Sequence, residues 1–239
     1  MKGKQGIKLA IVIMVVALLQ GCLYPKELRK ENQNSVREGI MLVQHAVDEY
    51  QRKTGLLPLI TAGESVPRYE KYEVDFQELL VHDLISEIPK NAFQSGGHHR
   101  YLIVNEETKP LVRVMDLNTA QRVNDLERSI RQYKQKQGKL PIGDERYPGF
   151  YDIDEKLLNV KLRPILSPYS GEALSFMANE DGNVFADYAS DLMKAIEQVQ
   201  AAPSGEEEDL RPILVEAGMF TPVKSTGYQW EESMPIPVP

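Results

Sequence analysis

The four histidines of the sequence are the side chains that could together hold a metal ion. His98 and His99 are adjacent and follow two glycines, whereas His45 and His82 fall on predicted helices. A zinc site takes its ligands at characteristic spacings, and adjacent side chains of an extended segment point to opposite faces. We therefore expect a solvated turn at His98-His99 and no metal site.

Five carboxylates have the residue type needed for general acid–base catalysis: Asp144, Glu145, Asp152, Asp154 and Glu155. Such catalysis requires two carboxyl groups at a fixed separation across a substrate. The first two lie in a predicted polar turn, 143–146, and the others are placed to cap a short helix. The sequence also has no Gly-x-Ser-x-Gly or Ser-x-x-Lys motif for a nucleophilic serine. We predict that the protein is not an enzyme.

Cys22, the only cysteine, follows an amino-terminal segment typical of export signals. Residues 1–8 carry three lysines and no acid, and Leu9–Leu19 is an uninterrupted apolar run. A helix of that length rises about 16 Å, roughly half of a hydrocarbon core, which is short for a transmembrane span. A basic segment, a short apolar core and small residues at the exit predict a secretory signal peptide, 1–21.

Leu19, Gln20, Gly21 and Cys22 resemble the lipobox of bacterial lipoproteins. The resemblance implies cleavage between Gly21 and Cys22, diacylglycerol on the Cys22 sulfur and acylation of the freed amine. Two or three acyl chains, at ~0.8 kcal/mol per buried methylene, anchor a protein stably where one chain is marginal. We expect a lipid-anchored protein on the extracytoplasmic face of the cell membrane. The alternative is an ordinary signal peptide with an incidental cysteine.

Charge and cysteine content bear on partners and on stability. Removal of residues 1–21, which carry three lysines and no acid, changes the formal net charge from −7 to −10. An acidic chain without a basic cluster is a poor candidate for nucleic-acid binding. Because no second cysteine is present to form a disulfide, the exported chain depends on its hydrophobic core. We expect no nucleic-acid partner and no cofactor.

A pattern in the first half of the chain recurs 83 positions later. Ser35 and Glu38 form a predicted capping box that starts a helix, and Asn118 and Gln121 take the same places. An apolar stripe at helical spacing follows each box, comprising Ile40, Val43, Val47 and Tyr50, then Val123, Leu126, Ile130 and Tyr133. Each helix ends at Gly-x-Leu-Pro. The pattern predicts a tandem internal repeat.

Each copy continues into a short helix and a β-hairpin. The short helices are predicted over 75–85 and near 154–160. The predicted strands are Tyr101–Val104 and Leu111–Met115 in the first copy, and Leu174–Ala178 and Val184–Tyr188 in the second. An Asp-Gly turn between the second pair is a strong hairpin signal. We predict an α+β fold with a polar tether, 22–34, and two helix–helix–β-hairpin units, 35–117 and 118–188.

The last 51 residues are predicted to form a degenerate third unit, 189–239. An acidic linker, 201–208, replaces the Leu-Pro stop after its first helix. A short helix within 209–220 and strands at 228–230 and 234–238 then complete the unit. The prolines of the last strand suit an edge position.

The helix end Tyr-x4-Gly-x-Leu-Pro resembles that of type IV pilin and pseudopilin domains, which continue into a loop and a small antiparallel sheet. The resemblance covers about twenty residues of each repeat and implies an α+β unit of that kind. The chain departs from that family at its amino terminus, where it has a lipobox and no prepilin processing motif. Filament assembly is therefore not implied.

Five aromatic residues lie in the two predicted loops between a Leu-Pro stop and a short helix: Tyr69, Tyr72, Tyr147, Phe150 and Tyr151. Equivalent loops on two repeats could form one aromatic surface suited to recognition. The alternative is that these side chains cover the first helix of each unit as local core.

These features favour a non-enzymatic interaction or accessory protein of the cell envelope, with an envelope protein as partner. The alternative is a small-molecule or peptide-binding lipoprotein that serves a transporter. A third interpretation, an envelope hydrolase, rests on no motif.

Overall fold

Two long helices, each followed by antiparallel strands, organise the fold in the computed structural model. The structure describes residues 30–159, 164–199 and 208–238. The predicted signal peptide, Cys22 and linker residues 201–207 lie outside the described residues. The combination of helices with several antiparallel sheets confirms the predicted α+β fold class.

The first long helix, α1 (Lys30–Thr54), does not begin at the predicted capping box. Ser35 and Glu38 lie inside the helix and are exposed, and the tether residues 30–34 are helical. Those residues include no glycine or proline that would stop a helix. The helix ends as predicted at Gly55, which has a φ of +73° and donates its N–H to Gln51 O at 2.8 Å.

The first sheet follows α1 and has the antiparallel order β1-β2-β3-β4. Its strands are β1 (Leu59–Thr61), β2 (Tyr72–Val74), β3 (His99–Val104) and β4 (Leu111–Asp116). Helix α2 (Phe76–Val81) lies between β2 and β3 in the chain. Apolar side chains of α1 and α2 pack with alternate residues of the sheet, such as Tyr101, Ile103 and Val112, in the first hydrophobic core.

The second long helix, α3 (Leu117–Gln137), begins two residues earlier than the predicted Asn118–Gln121 box implies. Its N-cap is Asp116, whose carboxylate accepts the N–H groups of Asn118 and Thr119, each at 3.1 Å. A carboxylate there satisfies two unpaired donors and also interacts favourably with the positive end of the helix dipole.

The second sheet is built like the first. Its strands are β5 (Ile142–Tyr147), β6 (Phe150–Ile153), β7 (Ile165–Leu166), β8 (Ala173–Asn179) and β9 (Val184–Asp187). Strands β6 and β7 pair with one side of β8, and β9 pairs with the other. The polar turn predicted at 143–146 is wrong, because these residues belong to β5 and pair with β6.

One backbone hydrogen bond at the start of the first sheet has a counterpart at the start of the second. Asp75 donates its N–H to Pro58 O at 2.8 Å, and Asp154 donates its N–H to Pro141 O at 2.9 Å. The same two aspartates cap α2 and the short helix α4 (Glu155–Leu158). Each Leu-Pro stop therefore positions the next helix through its carbonyl group.

The carboxy-terminal residues connect the two sheets. They form α5 (Ala189–Val199), α6 (Arg211–Ala217), β10 (Gly227–Glu231) and β11 (Met234–Val238). Between α6 and β10, Val114 N donates to Met219 O and Thr221 N donates to Val114 O, both at 3.0 Å, while Ala186 N donates to Lys224 O at 2.8 Å. We call residues 219–224 the bridging segment, since it pairs with β4 and with β9.

Among the residues that the structure describes, helices long and apolar enough to cross a bilayer were not found.

Candidate functional site

The five predicted aromatic residues do not lie in loops and do not form one surface. Tyr69 is 2% exposed and Phe150 is 1% exposed. Tyr69 packs with Val104 and Val215 and lies under the Arg211 guanidinium, 5.1 Å from the ring centre. These two side chains are buried, but Tyr69 clusters with residues of β3 and α6, and Phe150 packs edge-on against Phe185 of β9, whereas the alternative interpretation expected them to cover the first helix of each unit.

The other three aromatic residues are half-buried and lie on two different sheets. Tyr72 is on β2, with Lys71 Nζ 5.4 Å from its ring centre. Tyr147 ends β5, and Tyr151 on β6 donates its hydroxyl to Glu180 Oε1 at 3.1 Å. Strands β2 and β6 also pair with strands farther along the chain, Glu73 with Leu102 and Tyr151 with Ala178, whereas β5 pairs with β6 in a local hairpin.

The histidines lie on three different elements: His45 is exposed on α1, His82 caps the end of α2, and the adjacent pair His98-His99 stands at the start of β3. His98 is exposed, whereas His99 begins β3 with its ring 5.8 Å from that of Phe220. Burial lowers the pKa of His99. His82 lies beside Glu78, with Nε2 3.6 Å from Oε2. Groups of three or more His, Cys, Asp or Glu suited to a metal ion were not found in the described part of the chain.

Most of the predicted carboxylates have structural partners. Glu145 Oε1 accepts the N–H of Gly149 at 2.9 Å, and Asp154 caps α4. Asp152 instead contacts Arg146 on the neighbouring strand. This pair leads to the polar cluster that we describe as the candidate functional site.

Arg146 on β5 joins side chains from three other strands. Its Nε donates to Asp152 Oδ1 at 2.7 Å, and its Nη2 also contacts that carboxylate. Its Nη1 donates to Ser175 Oγ at 2.9 Å and to Asp187 Oδ2 at 3.2 Å. Burial alone would lower the pKa of Arg146, but Asp152 and Asp187 raise it above its ordinary value. The guanidinium is therefore charged and held in one orientation.

The side chain of Asp187, the last residue of β9, is 7% exposed and accepts several further hydrogen bonds. The hydroxyls of Tyr147 and Tyr228 donate to it at 3.3 Å each, and the N–H of Ala189 donates at 3.0 Å. Burial, followed by the charge of Asp187, raises the pKa of Tyr147 to about 12. Burial likewise raises the pKa of Tyr228 well above its ordinary value. Both phenols stay protonated at neutral pH.

A cleft of about 420 Å³ opens beside this cluster. It is lined by Arg146, Asp152, Glu155 and Ser175, with the apolar residues Ile153, Pro164, Leu174 and Phe176. The lining has one cation and two carboxylates, so negative charge is in excess and favours a ligand with a positively charged group. The four apolar lining residues favour a ligand that also has an apolar part. The arrangement suits binding more than proton transfer, since the phenols and the guanidinium do not titrate near neutral pH.

The sequence interpretation missed the pairing of Arg146 with Asp187. A local signal was present at Asp187, which precedes α5 and whose carboxylate accepts an N–H group at its start. Arg146, in contrast, lies in the segment 143–146, which the sequence predicts to be a turn and the structure shows to be part of β5. Only the strand order brings these residues, 41 positions apart, into contact.

The fold defines a protein built from tandem helix-and-antiparallel-sheet units with a short bridging carboxy terminus. Residues 36–116 match the family model described as the YphF family N-terminal domain. The matched segment runs from Val36 in α1 to Asp116, the last residue of β4. No curated protein and no solved structure matches the chain significantly.

Proposed function

We propose that this protein is a lipoprotein, anchored through Cys22 on the extracytoplasmic face of the cell membrane, and that it acts as a non-enzymatic interaction or accessory protein of the cell envelope. The observation that carries the proposal is the sequence Leu19-Gln20-Gly21-Cys22 at the end of the apolar run Leu9–Leu19. Lipid on Cys22 would place the folded units beside other envelope proteins.

The distribution of exposed apolar side chains supports an interaction role. Six of the eight large apolar side chains exposed among the described residues lie in 36–116: Met41, Leu42, Leu56, Ile60, Val81 and Phe93. They lie on several elements of the first unit, and contact sites are typically marked by exposed apolar side chains that form a contiguous patch. We therefore propose the first unit, where such side chains are most numerous among the described residues, as the part that contacts the partner.

The anchor is tested by growing cells with an alkyne fatty acid and measuring label on the protein. We expect labelling of the wild-type chain, release of a peptide ending at Gly21, and loss of both in Cys22→Ala. A wild-type chain that reaches the membrane fraction without label would contradict the anchor.

The interaction is tested with photocrosslinking amino acids at Val81 and Phe93, and with a matched control at the exposed residue Glu107 on the β3–β4 turn. We expect one dominant envelope protein to be captured from the first two positions and not from the control. Equal capture at all three positions would indicate collision rather than a specific interface.

The cleft beside Arg146 favours a second candidate function, a peptide-binding or small-molecule-binding lipoprotein that serves a transporter. Its carboxylates predict ligands with an amino or guanidino group. We expect such ligands to raise the melting temperature of the wild-type protein and to act less on Asp152→Asn. An unchanged melting temperature across cationic peptides and amines would contradict this candidate.

A further inference from the structure

The outer strands of the two larger sheets differ in how their edges are protected. The bridging segment pairs with β4 through Val114 and with β9 through Ala186. Strand β5 carries Asp144 and Glu145 and has two register shifts against β6, features that disfavour pairing with another strand. Strand β1, in contrast, has no strand on its outer side within the described residues.

The backbone of β1 presents hydrogen-bonding groups on that outer side. Asp75 N donates to Pro58 O at 2.8 Å and Ala62 N donates to Lys71 O at 2.9 Å, which fixes the hydrogen-bonded pairs with β2. Because such pairs alternate in antiparallel strands, the N–H and C=O of Ile60 point to β2. The carbonyls of Leu59 and Thr61 and the N–H of Thr61 therefore point outwards.

The side chains of β1 are compatible with pairing to an identical strand. The strand Leu59–Thr61 has no charge, and Ile60 at its centre is 52% exposed. Antiparallel pairing about Ile60 would place Thr61 opposite Leu59 of the other copy, so that no like charges meet. The equivalent pairing of β5 would bring acidic side chains together, which is destabilising.

We propose that β1 pairs in antiparallel orientation with β1 of a second copy of this chain, with Ile60 facing Ile60 across a two-fold axis. Each Thr61 N–H would donate to Leu59 C=O of the other copy, so the contact is isologous. A three-residue edge is small for a dimer in solution. The proposal therefore rests on the proposed lipid anchor, which concentrates the copies in one membrane plane.

The pairing makes a geometric prediction for Ile60→Cys. Residue 60 would form a non-hydrogen-bonded cross-strand pair with its copy, with Cα atoms about 4.5 Å apart, a separation that a disulfide spans. Because the proposed lipid blocks the sulfur of Cys22, the cysteine introduced at position 60 is the thiol that is free to form a disulfide. After mild oxidation of membranes, we expect at least about tenfold more disulfide-linked dimer than in Val81→Cys, whose position is 76% exposed but off the edge.

A second change tests the hydrogen bonds of the edge. Thr61→Pro, added to Ile60→Cys, removes the outward N–H and retains the pairing with β2, because Thr61 lies at a non-hydrogen-bonded pair with Tyr72. We expect the disulfide-linked dimer to fall to the level of the Val81→Cys control. An unchanged unfolding midpoint would show that the fold is retained.

Fatty-acid labelling of the same membranes separates the two proposals. Labelled Ile60→Cys protein that stays monomeric, or that crosslinks to a different protein, would overturn the β1 pairing and leave the anchor standing. Unlabelled protein would overturn the anchor, and crosslinking of the full chain at high concentration would then decide the pairing alone. In that case the experiment uses Ile60→Cys combined with Cys22→Ala, so that residue 60 carries the only thiol; a disulfide-linked dimer would support the pairing, and a monomer would overturn it.

Discussion

Gln44 on α1 accepts the backbone N–H of Val112 on β4, with its Oε1 2.7 Å from the nitrogen, although the residues are 68 positions apart. Glu127 on α3 makes the equivalent contact with Val184 on β9 at 3.3 Å. Gln44 and Glu127 are separated by the 83-residue repeat. In each unit a helix side chain thus satisfies a backbone donor at the outer edge of the sheet.

Gln44→Ala should destabilise the first unit because it leaves the Val112 N–H without this acceptor in a part-buried position. An unsatisfied donor there costs about 1–3 kcal/mol. Urea unfolding would measure the change, with Gln51→Ala, an exposed position on the same helix, as the control. Equal unfolding free energies for the two variants would contradict the role of the Gln44 contact.

Glu70→Ala should loosen the bridging segment from the first unit. Glu70 Oε1 accepts the N–H of Lys224 at 2.8 Å, and its Oε2 lies 3.8 Å from Lys224 Nζ. The backbone hydrogen bond is the stronger of these, so we expect a loss of about 1–3 kcal/mol in unfolding free energy. Lys224→Ala, which retains the N–H, should cost less than about 1 kcal/mol. A larger loss of unfolding free energy for Lys224→Ala than for Glu70→Ala would show that the ion pair contributes more than the backbone hydrogen bond.

Gly39→Ala should destabilise the protein although alanine favours helices. A Cβ at position 39 would lie 2.1 Å from the Tyr101 hydroxyl, which donates to Asn91 Oδ1 at 2.8 Å. Overpacking costs about 1–3 kcal/mol, which exceeds the helix-propensity gain of about 1 kcal/mol.

Tyr101→Phe in the Gly39→Ala background would remove the clashing oxygen and should restore part of the lost stability. The same melting temperature for Gly39→Ala and wild type would contradict the close approach.

Asp191→Asn should stabilise the protein at neutral pH. Asp191 is buried and accepts the Ser167 hydroxyl at 2.8 Å. Burial raises the pKa of Asp191, and the hydroxyls of Ser170 and Ser167 offset only part of that shift. A carboxyl group with a raised folded-state pKa binds more protons in the folded state. Stability is therefore lost as pH rises from the unfolded-state pKa through the folded-state value.

Urea unfolding between pH 4 and pH 7 would check this linkage. The stability advantage of Asp191→Asn should grow with pH over that range, and Asp83→Asn, at an exposed position, serves as the matched control for the same chemical change. An advantage of Asp191→Asn that is constant with pH would mean that packing, and not charge burial, causes it.

The sequence located most elements through local signals. Helical periodicity marked α1 and α3, glycines at 55 and 138 marked their ends, and the Asp-Gly turn marked the hairpin of β8 and β9. The helix starts were placed late, because the capping-box pattern does not exclude an earlier cap such as Asp116.

The elements without a strong local signal were missed. Strands β1 and β2 have three residues each. Strand β5 has six residues, but Ile142 is followed by a glycine and three consecutive charged residues, 144–146. Such strands exist because neighbouring strands supply hydrogen-bond partners, and β propensity depends strongly on that context. The aromatic residues near them were therefore assigned to loops, although Tyr69 and Phe150 are core residues.

By itself, the sequence determined the α+β class, the spacing of the repeated pattern and the long-helix ends, because each follows from periodicity or from the conformational limits of glycine and proline. The lipid anchor also comes from the sequence alone and stays a prediction. Only the tertiary structure decided that Arg146 meets Asp187, that residues 219–224 join β4 to β9, and that the outer edge of β1 is left uncovered in the described fold. These contacts join residues far apart in the chain, so they depend on strand order and packing, which local sequence patterns do not specify.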